Sequence, residues 1–215
     1  PDAYARYFTL ADKDLQSHRG WDPGAREAGV FLAQRLGAPF HKCETTRLLV
    51  EPNRSLHSDS LFSSFVHALT DVERDEVISQ YYVPHRHAVE AWIKASDNPV
   101  VHLSVHTFTP VFDEVVRDVE IGLLFDPDRL MEATFCGRLH AELERVLSSH
   151  RIRFNEPYKG IDDGFTTYLR TRFPDEHYAG IEIEINQRFV GSSDWEKVVH
   201  ALADSVQVVM NELGS

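Results

Sequence analysis

The sequence predicts a single α/β domain, with a largely parallel or mixed central sheet covered by helices on both faces. Three observations carry that expectation. Strand-like and helix-like segments alternate along the chain. No low-complexity linker or internal repeat interrupts them, and 215 residues lie nearer one domain than two. Hydrophobic residues at 42% and charged residues at 26% are the balance of a globular protein with a core large enough to need no metal or disulfide staple.

Each element has its own signal. Residues 22–37 begin with Asp22-Pro23-Gly24, space their apolar residues helically and stop at Gly37, which predicts a helix. Arg47-Leu-Leu-Val-Glu51 predicts a strand, and the polar run from Asn53 to Ser60 a loop. A helix is predicted over 71–96, with acidic residues in its first turn matching the positive end of the helix dipole. Val100 to Val105 alternate and are β-branched, so His106 falls at the carboxyl end of a strand before Pro110. A further strand over 119–125 ends at Asp126-Pro127, and an amphipathic helix follows over 130–149. Arg151 to Phe154 form a short strand, followed by a turn-rich stretch to Gly164. Residues 180–186 alternate strictly, so Glu182 and Glu184 share one face and the isoleucines the other; a helix over 193–213 closes the chain.

Lys and Arg total 22 against 34 Asp and Glu, a net charge of −12 that repels phosphate backbones and anionic lipid headgroups. Neither a nucleic-acid nor a membrane partner is therefore expected. No apolar run reaches the roughly 18 to 20 residues of a membrane span and no signal pattern opens the chain, so the expected location is the cytoplasm. Cys43 and Cys136 are too few for a disulfide framework or a cysteine-rich zinc module, and are expected to be buried thiols.

In open α/β sheets ligands bind beyond the carboxyl ends of strands, which singles out Asn53 and Arg54, His106, Asp126, and Glu184 with Asn186 and Gln187. His106 suits a metal ligand, although a core histidine satisfied by hydrogen bonds is the commoner case. Glu184, a carboxylate in a buried-looking strand, needs a partner or a shifted pKa; a general base, a metal ligand and a structural ion pair explain it equally well. Arg54 beside Asn53 offers a fork and an amide that can grip a substrate carboxylate, as well as a loop-stabilising role. His18 and Asp22 flank a Gly just before a helix, where Asp22 could instead cap the helix. His41/Glu44 and His87/Glu90 have ligand-like spacing but read as solvated surface pairs. Nucleotide loops and a Gly-x-Ser-x-Gly elbow are absent from the sequence.

Taken together, His18-Arg-Gly-Trp-Asp-Pro-Gly-Ala25, Arg47-Leu-Leu-Val-Glu-Pro-Asn-Arg-Ser55, His102-Leu-Ser-Val-His-Thr-Phe-Thr-Pro110, Asp118 to Pro127, Asn155-Glu-Pro-Tyr-Lys-Gly160 and Gly180 to Gln187 resemble the N-formylglutamate amidohydrolase family, a branch of the zinc carboxypeptidase-like, phosphorylase/hydrolase-like folds. The resemblance implies a zinc-dependent hydrolase of a small N-acyl amino acid such as N-formyl-L-glutamate. It implies His106, Asp22 and His18 as metal-site residues, with Asp22 a better ligand candidate than His18. Glu184 would be the carboxylate that activates water. Arg117, just before the Asp118 strand, would stabilise the oxyanion, and Asn53 and Arg54 would hold the substrate carboxylate, with Asn186 and Gln187 as further substrate-binding candidates. The family opens with a strand ending in a Cys-Glu-His-x-x-Asn type motif that supplies a metal ligand. Residues 1–215 are therefore expected to lack a strand that precedes Pro1. Alternatives of other classes are a carboxylate-binding protein that has lost catalysis and a related deacylase or carboxypeptidase. Oligomeric state is not encoded in any pattern that separates a surface patch from a core stripe.

Overall fold

The computed structural model describes residues 1–214. A 3-10 helix at Asp2–Phe8 and a four-residue helix α1 (Asp12–Leu15) lead to α2 (Ala25–Leu36). Then come α3 (Asp71–Val77), a π-helical turn (Ile78–Tyr82), α4 (Val83–Ala95), β1 (Val100–Phe108), and a hairpin of β2 (Val111–Phe112) and β3 (Val115–Val116). β4 (Ile121–Leu124), α5 (Leu130–Val146), β5 (Ile152–Phe154), α6 (Phe165–Arg172), β6 (Tyr178–Asn186) and α7 (Trp195–Leu213) complete the order.

The main sheet runs β1-β6-β4-β5. β1 is parallel to β6, β4 is parallel to β5, and β4 and β6 are antiparallel, so the sheet is mixed. The strict alternation of β6 separates its two faces. Ile181, Ile183 and Ile185 pack with Leu32 of α2, Leu139 of α5 and Leu202 of α7 in the largest apolar cluster. The opposite face is covered by α4 and α6, through Val89, Ile93, Phe165 and Leu169. A further cluster joins the amino-terminal helix (Tyr4, Phe8) to the loop around Leu49 and to Val77 of α3.

Two expectations need correction. Residues 47–51 are not a strand: Leu48, Leu49 and Val50 are buried in a turn, with Leu49 N–H bonded to Thr46 C=O at 3.0 Å. A short apolar run reports burial and leaves the backbone conformation open. The helix expected over 71–96 begins with a Thr70/Glu73 capping box, but a π turn interrupts it just before Pro84. Proline lacks the N–H that a continuous α-helix would use at that point. The hairpin and α6 carry no periodicity long enough to have been foreseen.

Glu132, at the start of α5 and fully buried, ties the layers together. Its Oε1 accepts from Arg170 Nε at 2.9 Å and from Gly180 N–H at 3.0 Å, and its Oε2 accepts from Asp126 N–H at 2.8 Å. Removing the carboxylate strands a nearly buried guanidinium and two amides. Glu132→Ala is therefore expected to lower stability by about 3–5 kcal/mol in urea unfolding, with β6 losing hydrogen-exchange protection first.

Candidate active site

The parallel register places His106 directly beside Glu184 and Ser104 beside Glu182, on the sheet face that looks toward α4 and α6. Gly122 lies on the other side of Glu184, and a Cβ there would stand 2.1 Å from Glu156 O and 3.2 Å from Glu184 Cβ. Only glycine lets the 155–157 turn approach the strand so closely.

Asp22 is the hub. Its Oδ2 meets His106 Nδ1 at 2.8 Å and its Oδ1 accepts from Arg47 Nη1 at 2.8 Å. Arg47 Nε continues to Glu51 Oε2 at 2.7 Å, and Glu51 Oε1 accepts from Asn53 N–H at 3.2 Å. His106 Nε2 lies 3.0 Å from Ser104 Oγ. Asp22 is thus not the cap of α2; Gly24 occupies that position with a positive φ of 87°.

The charges follow from this wiring. Burial works to raise the Asp22 pKa, but the His106 bond, Arg47 and the nearby His18 outweigh it and hold the carboxylate low. Burial also opposes charge on His106, yet the Asp22 bond and the neighbouring Glu184 and Glu182 carry its pKa up to about 9. Glu184 is 6% exposed and its Oε2 has no hydrogen-bond partner. Burial, with Asp22 and Glu182 nearby, pushes its pKa up to about 8 against the pull of His106 and Arg47. Glu182 is settled differently, accepting from Thr166 Oγ1 at 2.7 Å.

Asp22, Arg47, Glu51, Asn53, Ser104 and His106 line a cleft of about 720 Å³. Asn53 Oδ1 accepts from Phe165 N–H at 2.7 Å. Arg54 donates to Asp163 C=O and is not part of the cleft wall. The loop that carries both is fixed by Arg86, whose Nη1 donates to Pro52 C=O at 3.0 Å and Arg54 C=O at 3.2 Å. Its guanidinium sits 4.4–4.8 Å from the ring centres of Phe165, Tyr168 and Tyr82.

The other expected residues lie apart from this group. His18 is exposed and outside the cleft wall. Arg117 is held in the hairpin region, donating to Tyr158 Oη at 3.1 Å, away from the cleft. Asn186 is buried and spends its Nδ2 on Val119 C=O and its Oδ1 on Arg188 N–H. Gln187 Nε2 donates to Thr107 Oγ1 at 3.1 Å. Asp126 accepts from Asp128 N–H at 3.0 Å in its own turn. His87 is exposed as expected, but His41 is half-buried and stacks on His85 at 4.9 Å, which corrects its reading as a solvated pair with Glu44.

Sequence reasoning missed Arg47, Glu51, Arg86 and the histidines 41, 85 and 102 as cleft or cleft-supporting residues. Arg47 opens the apolar run that precedes Asn53, the one local sign of its role. The histidines could not be found, since their convergence depends on three separate elements.

Among the described residues no three His, Cys, Asp or Glu side chains converge as a metal ion requires. Asp22 Oδ2 is turned to His106 Nδ1, which leaves His106 Nε2, beside Ser104 Oγ, as the ring nitrogen able to ligate, and a catalytic zinc takes about three protein ligands. These residues do not by themselves fit a zinc site.

The sequence model described as N-formylglutamate amidohydrolase matches residues 1–190. This chain belongs to the N-formylglutamate amidohydrolase family. An amidohydrolase activity and a small-molecule substrate follow from membership at that level of detail. The fold is similar to the crystal structure of gene product Atu2144 from Agrobacterium tumefaciens, with a TM-score of 0.81 at 26% identity over 100% of this chain and 87% of that one. No curated protein matches the sequence. No helix among the described residues is long and apolar enough to cross a membrane.

The titrations set the pH dependence of stability. His106 has a raised folded pKa, so its contribution is complete below its unfolded value near 6.5 and is lost as pH rises through about 9. Glu184 binds its proton more tightly folded than unfolded, so its contribution also falls, between an unfolded value near 4.5 and about 8. Stability of the metal-free protein should therefore decline from pH 6.5 to 9 in urea titrations, and Glu184→Gln should make that decline shallower. Below pH 6.5, burial of His85 and His102 adds a fall toward about 4, because both resist protonation when folded.

Proposed function

We propose that the protein hydrolyses the amide bond of an N-formyl or N-acyl amino acid, of which N-formyl-L-glutamate is the type substrate. The observation that carries this reading is Glu184. It is a buried carboxyl with an unpartnered oxygen and a pKa of about 8, in register with His106. A group with its pKa near the working pH serves equally as base and as acid. Glu184 accepts the proton of the attacking water and returns it to the departing amine nitrogen, so no net proton is gained or lost.

In this reading His106, whose positive charge is held by Asp22 at the cleft wall, stabilises the negative charge that grows on the carbonyl oxygen. Arg47 fixes Asp22 from the other side and keeps the imidazole oriented. Asn53, on the cleft wall, offers an amide to the substrate carboxylate, whereas Arg54 is tied to Asp163 outside that wall and takes no part. Arg117, Asn186, Gln187 and His18 have no step assigned to them here. Zinc belongs to this reading through the family resemblance alone, and a cytoplasmic setting is part of the same proposal.

Formate release from N-formyl-L-glutamate, measured before and after chelator treatment together with metal content, tests the reaction and the metal. Glu184→Gln should lower kcat by about 10²–10⁴-fold with KM little changed. Asn53→Ala should act chiefly on KM. A folded, metal-replete protein that releases no amine from any N-acyl amino acid overturns the proposal.

A further inference from the structure

Five rings form a row along one wall of the cleft. His41 lies edge-on to Trp92 at 5.7 Å and stacks on His85 at 4.9 Å; His85 is followed by Phe165 at 5.7 Å, and Phe165 by His102 at 6.3 Å. The row is joined to the reacting groups at two points. Strand alternation puts His102 on the same face of β1 as His106, and Phe165 N–H holds Asn53 Oδ1 at 2.7 Å. The hydrolysis proposed above gives none of the three histidines in the row a part.

The row has hydrogen-bonding capacity and no charge to match an anion. His102 Nδ1 meets Tyr178 Oη at 3.0 Å, whereas His41 Nε2 and His85 Nδ1 are shielded and unpartnered among the described residues, which leaves His41 Nδ1 and His85 Nε2 for the cleft. Burial, reinforced by His41, Arg86 and His106, lowers the His85 pKa to about 4, and burial lowers that of His102 to about 4 as well, so both rings are neutral. The nearby cations are engaged elsewhere. Arg47 is paired with Asp22 and Glu51, Lys42 with Glu44, and Arg86, off the cleft wall, donates to the Pro52 and Arg54 carbonyls. Arg26 is exposed on α2, whose Ala28 and Leu32 pack on the opposite face of the sheet. A carboxylate laid along the rings would lose its water with no cation to meet it. A planar, uncharged group stacks on them instead, and a carboxamide carries both donors and an acceptor, so it satisfies either tautomer of a neutral imidazole.

We propose that this row is the pocket for the substrate's side chain, with His41 and His85 as its specificity-determining residues, and that it selects an N-acyl amino acid with a planar, uncharged side chain, the carboxamide of glutamine over the carboxylate of glutamate. The inference rests on the hydrolase reading for the identity of the ligand as an N-acyl amino acid, and adds to it the place and the charge of the side chain. Asn53 stands at the junction. With its Oδ1 held by Phe165, its Nδ2 is left for the substrate's α-carboxylate, while the side chain runs along the rings.

Two measurements on the full-length protein test it: kcat/KM for N-formyl-L-glutamine, N-formyl-L-glutamate and N-formylglycine, and calorimetric binding of the first two to Glu184→Gln, which needs no turnover. The glutamine compound should exceed the nearly isosteric glutamate compound by about 10-fold or more in both kcat/KM and affinity. His85→Phe keeps a ring and removes its nitrogens, and His41→Phe does the same at a half-buried position that tolerates the change. Each should lower the ratio of kcat/KM for N-formyl-L-glutamine over N-formylglycine by about 10-fold, chiefly through KM. A purely structural role would lower both substrates alike, and that result with both variants overturns the proposal. So does equal or better use of the glutamate compound. Binding that favours the glutamine compound without turnover of any of the three discards the hydrolase reading and supports the pocket; turnover without discrimination does the reverse. Failure of both compounds to bind removes both.

Discussion

Pairing of β1 with β6 in a single register is the constraint on which the rest of the structure rests. It brings His106 beside Glu184 and Ser104 beside Glu182 from strands almost eighty residues apart in the chain. A slip of one residue would turn the isoleucines of β6 toward α4 and α6 and drive both glutamates into the apolar layer under α2, α5 and α7. The cost of burying those carboxylates among Leu139 and Leu202 fixes the register as firmly as the hydrogen bonds do. The placement of His106 beside Glu184 and the stability of the fold are therefore specified by the same contacts.

Charge in the site is distributed by solvation and partnership. Asp22, with Arg47 on one oxygen and His106 on the other, keeps its negative charge in a largely buried position. Glu184, in register with His106 on the neighbouring strand, has no such partner for its Oε2 and holds its proton instead. Two carboxyl groups near one imidazole thus have opposite preferences, one held charged and the other protonated. Glu182 accepts a hydrogen bond from Thr166 Oγ1.

The cleft has two parts with different origins. At the carboxyl end of β1 it is polar and built from the Asp22, Arg47 and Asn53 loops. Along β1 it is apolar and bordered by helices from both layers. The first part holds the Asp22, His106 and Asn53 side chains. The second is a matter of sheet construction, since helices from both layers extend alongside the edge strand β1.

The sequence by itself determined the class of fold, the long helices and the two-faced character of β6, because periodicity of 3.6 or 2 over enough residues reports which side is buried. It also determined the motif set that marks the family, in which Asp22, Asn53 and His106 fall on the wall of the cleft and Glu184 lies in register with His106. Tertiary structure alone decided the rest. The run 47–51 is apolar because it is covered, and nothing local told a covered turn from a strand. Arg47 and Arg86 have their roles only because distant segments fold against them. Asn186 and Gln187 follow a strand as a ligand-binding pair would, but their side chains are consumed by neighbouring backbone and Thr107. Local pattern fixes which face a residue turns inward; what it meets there depends on contacts between segments far apart in the chain, and those are set by packing.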